Sequence, residues 1–253
     1  MHTGNNIYFL SDFHLGAPNH AESMVREKRI VQFLLSIQHN AAEIYIVGDM
    51  FDFWYEYKYV VPKGYVRLLG TLALLVDSGI RIHFFVGNHD MWMRNYFETE
   101  LGIPVHHKPL TVIHQGLTIL VGHGDGLGPG DNGYKRLKKV MRHPVSKALF
   151  NLIPPSIGMA LANYSSKKSR LATGSADRVY LGDDKEWLIQ YCKRKLEQQH
   201  YDYFIFGHRH LPISHTLSAT STYINLGEWI HYNSYAVLSN QTITLQYYKE
   251  NVQ

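Results

Sequence analysis

Carboxylate, amide and imidazole side chains recur in this sequence just after short apolar segments. Seven such residues stand out: Asp12, His14, Asp49, Asn88, His123, His208 and His210. Each alone is more often a capping or loop residue, but together they offer oxygen and nitrogen ligands without thiolate, which suit Mn²⁺, Fe or Zn²⁺. Seven side chains can serve two divalent ions if one carboxylate bridges them, and Asp49, central in the set, is the natural bridge.

The segment DYFIFGHRHLPI illustrates how two of these ligands could be presented. Its apolar, aromatic stretch favours a buried strand that ends at Gly207, and His208 and His210 follow with Arg209 between them. Because side chains alternate along an extended chain, both imidazoles could point the same way and bind metal. Loop histidines bonded to nearby carbonyl groups are the alternative.

Five apolar segments with polar endings predict the strands that position these residues: NIYFLSDFH, EIYIVGD, IRIHFFVGNHD, LTILVGHGD and DYFIFGHRH. After the first of them, apolar residues recur at helical spacing, at Ile30, Phe33, Leu34 and Ile37. The segment GYVRLLGTLALLVDSG predicts a second helix, closed by Gly79.

The order of the elements predicts an α/β fold class. Strands and helices alternate early in the chain, and the C-terminal region predicts short strands joined by turns, one of them at Ser239-Asn240. Two mixed sheets would pack face to face with helices outside. Loops at the carboxyl ends of parallel strands are the usual place for a site, and all five polar clusters lie at such strand ends.

Composition favours a globular cytosolic protein. Of 253 residues, 45% are hydrophobic and 18% charged. The single cysteine, Cys192, excludes a disulfide within the chain and fits a reducing compartment. The N-terminal MHTGNNIYFLSDFHLG lacks a signal-peptide pattern, and no apolar run reaches the ~18 residues of a spanning helix.

Residues 131–178 differ from the rest of the chain. They hold ten Lys and Arg residues and two acidic ones, a net charge of +8, against −4 elsewhere. The Lys and Arg residues cluster at the two ends of this segment, and between the two clusters lies the mostly apolar ALFNLIPPSIGMALANY. We therefore expect a helical cap or lid at 131–178, inserted into a core formed by 1–130 and 179–253.

Three uses of this basic and apolar lid remain open. It could cover a substrate with a diphosphate at one end and acyl chains at the other, or its apolar part could lie in a dimer interface. A simple structural insertion with a solvated basic face is the third. Because a nuclease groove would more often be basic without an apolar centre, no nucleic-acid partner is expected.

The sequence resembles the calcineurin-like metallophosphoesterases through five blocks in that family's order: SDFHLG, GDMFD, GNHD, GHGD and GHRH. The resemblance implies a four-layer α-β-β-α sandwich and two metal ions, Mn²⁺ foremost and Fe or Zn²⁺ as alternatives. It implies three ligand groups: Asp12, His14 and His210 for the first ion, Asn88, His123 and His208 for the second, and Asp49 as the bridge.

The same resemblance implies a catalytic role for His89, in contact with the phosphoryl oxygens or the leaving group. Asp52, Asp90 and Asp125 follow the ligands closely and could orient imidazoles, with ordinary loop solvation or capping as the alternative. Some members of this fold lack ligands and serve as protein-binding scaffolds. Because every ligand position is filled here, the sequence favours an enzyme.

One subgroup is especially similar, the UDP-2,3-diacylglucosamine diphosphatases of lipid A synthesis in Gram-negative bacteria. The similarity covers SDFHLG, GDMFDFW, HGD followed by GDNGY, and GHRHLP. It implies that UMP and 2,3-diacylglucosamine 1-phosphate are the products. The implied substrate contacts are Asn88, His89, Asp131, Ser166, Lys167, Lys168, Arg170 and His208.

The chain departs from this subgroup at one position. Many members carry Arg after the Asn, whereas this chain has His89 in GNHD. Hydrolysis of another nucleotide or lipid diphosphate therefore stays open. Whether the substrate is UDP-2,3-diacylglucosamine or another lipid diphosphate, we expect peripheral contact with the anionic cytoplasmic face of the inner membrane. We expect no obligate protein partner.

Overall fold

The computed structural model describes residues 4–129, 132–173 and 179–249, with side chains described outside 167–173. One sheet has six strands, in the order β11 (Thr242–Tyr247), β10 (Ser234–Ser239), β1 (Asn6–Leu10), β2 (Ala41–Val47), β3 (Arg81–Phe85) and β4 (Val105–His106). A second sheet has five, in the order β5 (Leu110–His114), β6 (Leu117–Gly122), β7 (Tyr203–Phe206), β9 (Ser221–Leu226) and β8 (Pro212–Ser218).

The described residues form seven helices: α1 (His20–Ile37), α2 (Val66–Asp77), α3 (Tyr96–Leu101), α4 (Asn132–Arg142), α5 (Pro144–Asn151), α6 (Pro155–Thr173) and α7 (Trp187–Leu196). Strands β1 to β4 are parallel, and so are β6, β7 and β9. The remaining neighbours pair antiparallel. Both sheets are therefore mixed.

Alternation along the strands separates the core into layers. In β1, Tyr8 and Leu10 pack with α1 and α2, whereas Ile7 and Phe9 pack against the second sheet. On the far side of that sheet, Phe204 packs with α7. The result is a four-layer α-β-β-α sandwich, which confirms the predicted fold class.

Helices α4, α5 and α6 occupy most of the predicted lid segment. Phe150 at the end of α5 packs against Tyr55 and Trp92, with ring centroids 4.7 and 4.6 Å away. The Trp92 indole also donates a hydrogen bond to the Met141 carbonyl. These contacts join the helices to aromatic residues of the loops after β2 and β3, while the boundaries of a separate core and lid remain a prediction.

Most elements expected from sequence are present. The residues at helical spacing between positions 30 and 37 lie on the buried face of α1, and Gly79 follows the end of α2. A two-residue connection, Asn240-Gln241, joins β10 to β11. Within the described ranges, no helix combines the length and apolar character needed to cross a membrane.

Candidate metal centre

Parallel strands bring the polar clusters to one edge of the sandwich. Asp12, Asp49 and Asn88 follow β1, β2 and β3 of the first sheet, and His123 and His208 follow β6 and β7 of the second. The two sheets are joined directly at this edge, because the His208 backbone N–H donates to Asp12 Oδ2 at 3.0 Å. The seven predicted ligands thus come from two sheets that meet at their strand ends.

A first group gathers two carboxylates and two imidazoles. Asp12, His14, Asp49 and His210 each offer a ligand atom within 4.8 Å of the others. The Nε2 atoms of His14 and His210 lie 3.0 Å apart. Asp12 Oδ1 is 3.2 Å from His210 Nε2 and 3.6 Å from His14 Nε2. These atoms surround a position where a cation would be bound by both oxygen and nitrogen.

A second group forms on the other side of Asp49, with His123 and His208. His123 Nε2 lies 3.3 Å from Asp49 Oδ2 and 3.2 Å from Asn88 Oδ1. Its Nδ1 is 2.9 Å from the Val47 carbonyl, which can only accept, so Nδ1 carries the proton. Metal-binding histidines commonly donate a hydrogen bond from the N–H of their second ring nitrogen in this way, which leaves Nε2 as the ligand atom.

Asp49 belongs to both groups. Its Oδ1 accepts a hydrogen bond from the His89 backbone N–H at 2.8 Å. Its Oδ2 faces His123 Nε2 on one side and His14 Nε2, 3.8 Å away, on the other. This carboxylate therefore lies between the two groups, at the position predicted for a bridging ligand.

The donor set fits divalent cations. Among the described side chains, Asp12 Oδ1 and Asp49 Oδ2 are shielded from solvent and have no hydrogen-bond donor. A buried carboxylate oxygen without a donor is unfavourable unless a cation compensates it. Both oxygens face the imidazoles of the two groups, where a bound divalent cation would compensate their charge.

The electrostatics of the site favour positive charge at the same place. Burial alone would raise the carboxyl pKa values, but neighbouring histidines hold the pKa of Asp12 and of Asp49 well below the usual range. Burial lowers the pKa of His14 to about 3 and that of His208 to about 4, which keeps both imidazoles neutral, as ligands must be. Burial opposes charge on His123 too, but Asp49 raises its pKa to about 10, so a cation bound in this group would displace the Nε2 proton.

Backbone strain is concentrated at these residues. Five of the seven predicted ligands have a left-handed φ, which is uncommon outside glycine: Asp12 56°, His14 44°, Asp49 52°, His208 71° and His210 47°. Such strain persists where the surrounding structure enforces it, typically at functional sites. Close approach of the backbone matters too, because a Cβ at Gly87 would lie 2.1 Å from Asp49 Oδ1.

His89 lies beside the metal-ligand groups and contacts α6. Its ring is edge-on to His14, with centroids 4.8 Å apart. Nδ1 is 3.0 Å from the Asp52 carbonyl and 3.0 Å from Ser166 Oγ. The carbonyl requires a proton on Nδ1, and Ser166 is buried against this edge of the site. His89 and Ser166, both predicted substrate contacts, are thus neighbours.

The other predicted lid contacts are not described at side-chain level. Asp131 lies outside the described residues. Lys167, Lys168 and Arg170 lie in α6, but their side chains are outside the described part of the chain. Their assignment as substrate contacts stays a prediction.

The three aspartates suggested as orienting residues have different surroundings. Asp52 Oδ1 faces two imidazoles, 3.9 Å from His14 Nδ1 and 3.7 Å from His89 Nδ1. Asp90 instead accepts from the backbone N–H groups of Gly87 and Met50. Burial, with Asp49 nearby, raises the pKa of Asp90 to about 7.

Asp125 connects the site to α4. It accepts a hydrogen bond from the Tyr134 hydroxyl at 2.6 Å and forms a 2.5 Å ion pair with Lys138. The Lys138 ammonium also donates to the Asp125 carbonyl. Asp125, two residues after His123, therefore anchors helix α4 of the lid segment. The loop sequence did not indicate this role.

Arg26 supports the site but was not anticipated from sequence. It is buried in α1 and donates through Nη2 to the carbonyl groups of His14 and Ala17. The signal was present, because Arg26 precedes Ile30 by four residues and so lies on the apolar face of the helix. A charged residue on a buried helix face indicates a partner inside the fold.

The four-layer sandwich, with clustered aspartates and histidines at its strand ends, defines a metallophosphoesterase. The chain is 39% identical over 254 residues to the UDP-2,3-diacylglucosamine hydrolase of Porphyromonas gingivalis, covering 96% of this chain and 97% of that protein. The proteins of the same name from Photorhabdus laumondii and Ectopseudomonas mendocina are 26% and 28% identical, over 94% and 88% of this chain and 96% and 90% of theirs. The chain belongs to the UDP-2,3-diacylglucosamine hydrolase family.

Two solved structures align with most of the chain at low sequence identity. An archaeal phosphodiesterase aligns with 96% of this chain and 99% of its own at 12% identity, with a TM-score of 0.48. Vps29 of Entamoeba histolytica, solved with Zn²⁺, aligns over 95% and 97% at 12% identity, with a TM-score of 0.44. No protein-family model matches the chain.

Proposed function

We propose that this chain hydrolyses the diphosphate of UDP-2,3-diacylglucosamine to UMP and 2,3-diacylglucosamine 1-phosphate, a step of lipid A synthesis. The observation that carries the proposal is the position of the Asp49 carboxylate between two groups of ligands. One shared carboxylate between two imidazole-rich groups suits a pair of divalent ions acting on one phosphoester. Membership in the hydrolase family supports the choice of substrate.

The proposal includes two metal ions, with Mn²⁺ preferred because the ligands combine carboxylate and amide oxygen with imidazole. Asp12, His14 and His210 would hold one ion, Asn88, His123 and His208 the other, and Asp49 both. When bound, such ions supply Lewis-acid stabilisation of the diphosphate charge and lower the pKa of water. Analysis of the metal in protein purified without chelator tests the number and the element.

His89 is the proposed catalytic residue. Its Nδ1 proton is committed to the Asp52 carbonyl, which orients the ring and leaves Nε2 for the substrate. As an imidazolium, His89 could donate from Nε2 to a phosphoryl oxygen or to the leaving oxygen. Ser166, 3.0 Å from Nδ1, brings α6 to the same place and would contact the phosphate or the sugar.

The bond changes are those of a hydrolysis at the uridine-side phosphorus. The oxygen of water bonds to that phosphorus, and the bond from it to the bridging oxygen breaks. The bridging oxygen leaves with the glucosamine-side phosphate, and the protons of water are distributed between the products and the solvent. UMP therefore receives the oxygen that comes from water.

The helices of the lid segment support a lipid substrate. Apolar side chains on all three helices and at the end of α5 are more than half exposed, among them Leu137, Val145, Leu149, Leu152 and Leu161. Exposed apolar surface of this kind suits acyl chains or the interface of a bilayer. The proposal therefore includes peripheral contact with the cytoplasmic face of the inner membrane, where basic residues of 131–178 would meet anionic lipid.

The decisive experiment is mass spectrometry of products formed in water labelled with oxygen-18. UDP-2,3-diacylglucosamine is compared with UDP-N-acetylglucosamine, which keeps the diphosphate but lacks both long acyl chains. We expect efficient turnover of the diacylated substrate, with label in UMP. Turnover of unacylated nucleotide diphosphates alone would contradict the lipid substrate.

A second candidate is hydrolysis of another nucleotide or lipid diphosphate. It is favoured by His89, which replaces the Arg that many relatives carry at this position. The same assay with a panel of lipid-linked and free nucleotide diphosphates separates the candidates. A tenfold or greater preference in kcat/KM for another member of the panel would replace the proposed substrate.

A further inference from the structure

A buried ion pair lies directly behind the two histidines of GHRH. Arg209 is 4% exposed and Glu186, just before α7, is 1% exposed. Arg209 Nε donates to Glu186 Oε2 at 3.0 Å, and Nη2 donates to Oε1 at 2.8 Å. Two parallel hydrogen bonds of this kind fix the guanidinium in both position and orientation.

The loop that carries this arginine has an unusual backbone. His208 and His210 both adopt a left-handed φ, at 71° and 47°, on either side of Arg209. The Arg209 N–H also donates to the Gly207 carbonyl at 2.9 Å. Two strained residues separated by one require an anchor, and the only residue between them is the one held by Glu186.

The same ion pair holds the chain where it returns from the lid segment. Arg209 Nη2 donates to the Val179 carbonyl at 2.9 Å, and Glu186 Oε1 accepts from the Leu181 N–H at 3.1 Å. Val179 is the first described residue after α6. One buried contact therefore connects the return of the lid segment, the start of α7 and the loop of His208 and His210.

We propose that the Arg209–Glu186 ion pair is a positioning device for the metal centre. Arg209 acts through its neighbours, because fixing its guanidinium fixes the backbone on both sides and so aims His208 at one ion and His210 at the other. The inference rests on the proposed metal centre and goes beyond it, since neither residue is a ligand or a substrate contact.

The chemistry of arginine explains why residue 209 can position the metal centre. A guanidinium can form the two-point contact with Glu186 and still reach the Val179 carbonyl, which a lysine ammonium on a single point cannot do. Burial makes the pair sensitive to loss of one member, because the other is then left as an uncompensated charge. The expected consequences are misaimed histidines and weaker metal binding.

The test measures Mn²⁺ affinity of the metal-free full chain by electron paramagnetic resonance, in which free and bound Mn²⁺ differ. The variants are Arg209→Met, Glu186→Met, the double variant and Arg209→Lys. We expect the dissociation constant for Mn²⁺ to rise about 10–100-fold in Arg209→Met, as when a partner of a metal ligand is removed. Arg81→Met, an exposed arginine at the opposite end of the strands, is the control and should bind as wild type.

The double variant distinguishes positioning from a merely structural role. It contains no uncompensated buried charge, so its thermal midpoint should recover toward wild type. Its Mn²⁺ affinity should stay low, because nothing aims the two histidines. Recovery of both properties would overturn the inference.

Three further outcomes are decisive. If the methionine variants do not fold, Arg209→Lys keeps the buried charge and should still bind Mn²⁺ more weakly, whereas wild-type affinity in that variant would overturn the inference. A wild-type chain that takes up Mn²⁺ while all variants bind equally well would overturn it and leave the proposed function intact. A wild-type chain that binds no Mn²⁺ would overturn the metal centre and the inference together.

Discussion

Asp49 contacts both groups of predicted ligands and the backbone of His89. One oxygen accepts from the His89 backbone, and the other lies between His123 and His14. Asp49→Asn keeps the shape but removes the charge, so metal content should fall. Turnover should fall by on the order of 10³-fold, since Lewis-acid stabilisation amounts to several kcal/mol.

The Asp49 prediction is checked by metal analysis and steady-state kinetics on the same preparation. Asp77→Asn, an exposed carboxylate at the end of α2, is the control and should change neither property. Near-normal turnover of Asp49→Asn would exclude a bridging role.

His89 should separate metal binding from chemistry. His89→Ala removes a group that faces the substrate in the proposal, and loss of a general acid lowers kcat by roughly 10²–10⁴-fold. Metal content should stay at the wild-type value, because Asp49 and His123 are untouched. Loss of metal in His89→Ala would instead make His89 a ligand, together with His14 and Asp52.

Glu43 lies at the ends of the strands opposite the candidate metal centre. It predicts a pH dependence of stability that is independent of the metals. Burial would raise its pKa, but His83, Tyr45, His114 and Arg81 outweigh burial and lower it from 4.5 to about 2. A lowered folded-state pKa contributes stability above pH 4.5, and this contribution disappears as the pH falls toward 2.

Glu43→Gln should therefore reduce the free energy of unfolding at pH 7, by on the order of 1 kcal/mol because the Arg81 partner is solvent-screened. The loss should shrink at pH 3. Urea unfolding of the metal-free chain at both pH values measures the difference. An equal loss at pH 7 and pH 3 would show that Glu43 acts by packing and not by charge.

Residue types at strand ends were enough to propose all seven ligands, because metal chemistry restricts the choice to a few side chains. The sequence did not reveal how they are held. The contacts from Arg26 to the His14 carbonyl and from Arg209 to the Val179 carbonyl span 12 and 30 residues of sequence, and a backbone carbonyl carries no sequence signal. Supporting contacts of this kind require the fold.

At the scale of elements, the length of a strand or helix determines whether its sequence pattern predicts it. The strands that precede the predicted ligands are mostly apolar, and α1 and α2 have several turns of helical periodicity. By contrast, β4 has two residues, α3 has six, and β5 alternates between half-buried and exposed positions. Such short or marginal segments contain too few periodic positions to stand out.

The C-terminal end of α5 should provide membrane contact through exposed leucines. Leu149 and Leu152 at the end of α5 are 61% and 79% exposed. Changing both to Ser should reduce binding to anionic phospholipid vesicles by about 10–100-fold, since burial of one leucine contributes ~1.5 kcal/mol. Sedimentation with vesicles measures the change.

The matched control for the lid lies on the core. Val66 and Leu74 of α2 are 74% and 55% exposed, and the pair changed to Ser loses a similar apolar area. Vesicle binding of this control should stay at the wild-type value. If both pairs of substitutions weaken binding equally, the membrane contact is not made by α5.

At the scale of the whole molecule, the candidate metal centre lies where the two sheets meet. Asp12, Asp49 and Asn88 extend from the first sheet, and His123 and His208 from the second. Two buried carboxylate oxygens at this junction, Asp12 Oδ1 and Asp49 Oδ2, have no hydrogen-bond donor among the described residues. Metal binding should therefore stabilise the entire fold, because unfolding separates the ligands.

Mn²⁺ should raise the thermal midpoint of the metal-free chain by about 5–10 °C at a hundredfold excess over its dissociation constant, because such binding adds about 2.7 kcal/mol and a chain of this size gains about 2–4 °C per kcal/mol. Differential scanning calorimetry measures the shift. Asp49→Asn should lose most of it, whereas Glu43→Gln should lower the midpoint and keep the full shift, because its ion pair lies at the other end of the strands. If Mn²⁺ left the wild-type midpoint unchanged, the two sheets would not be joined through metal. Equal shifts in wild type and Asp49→Asn would place the bound ion elsewhere on the molecule.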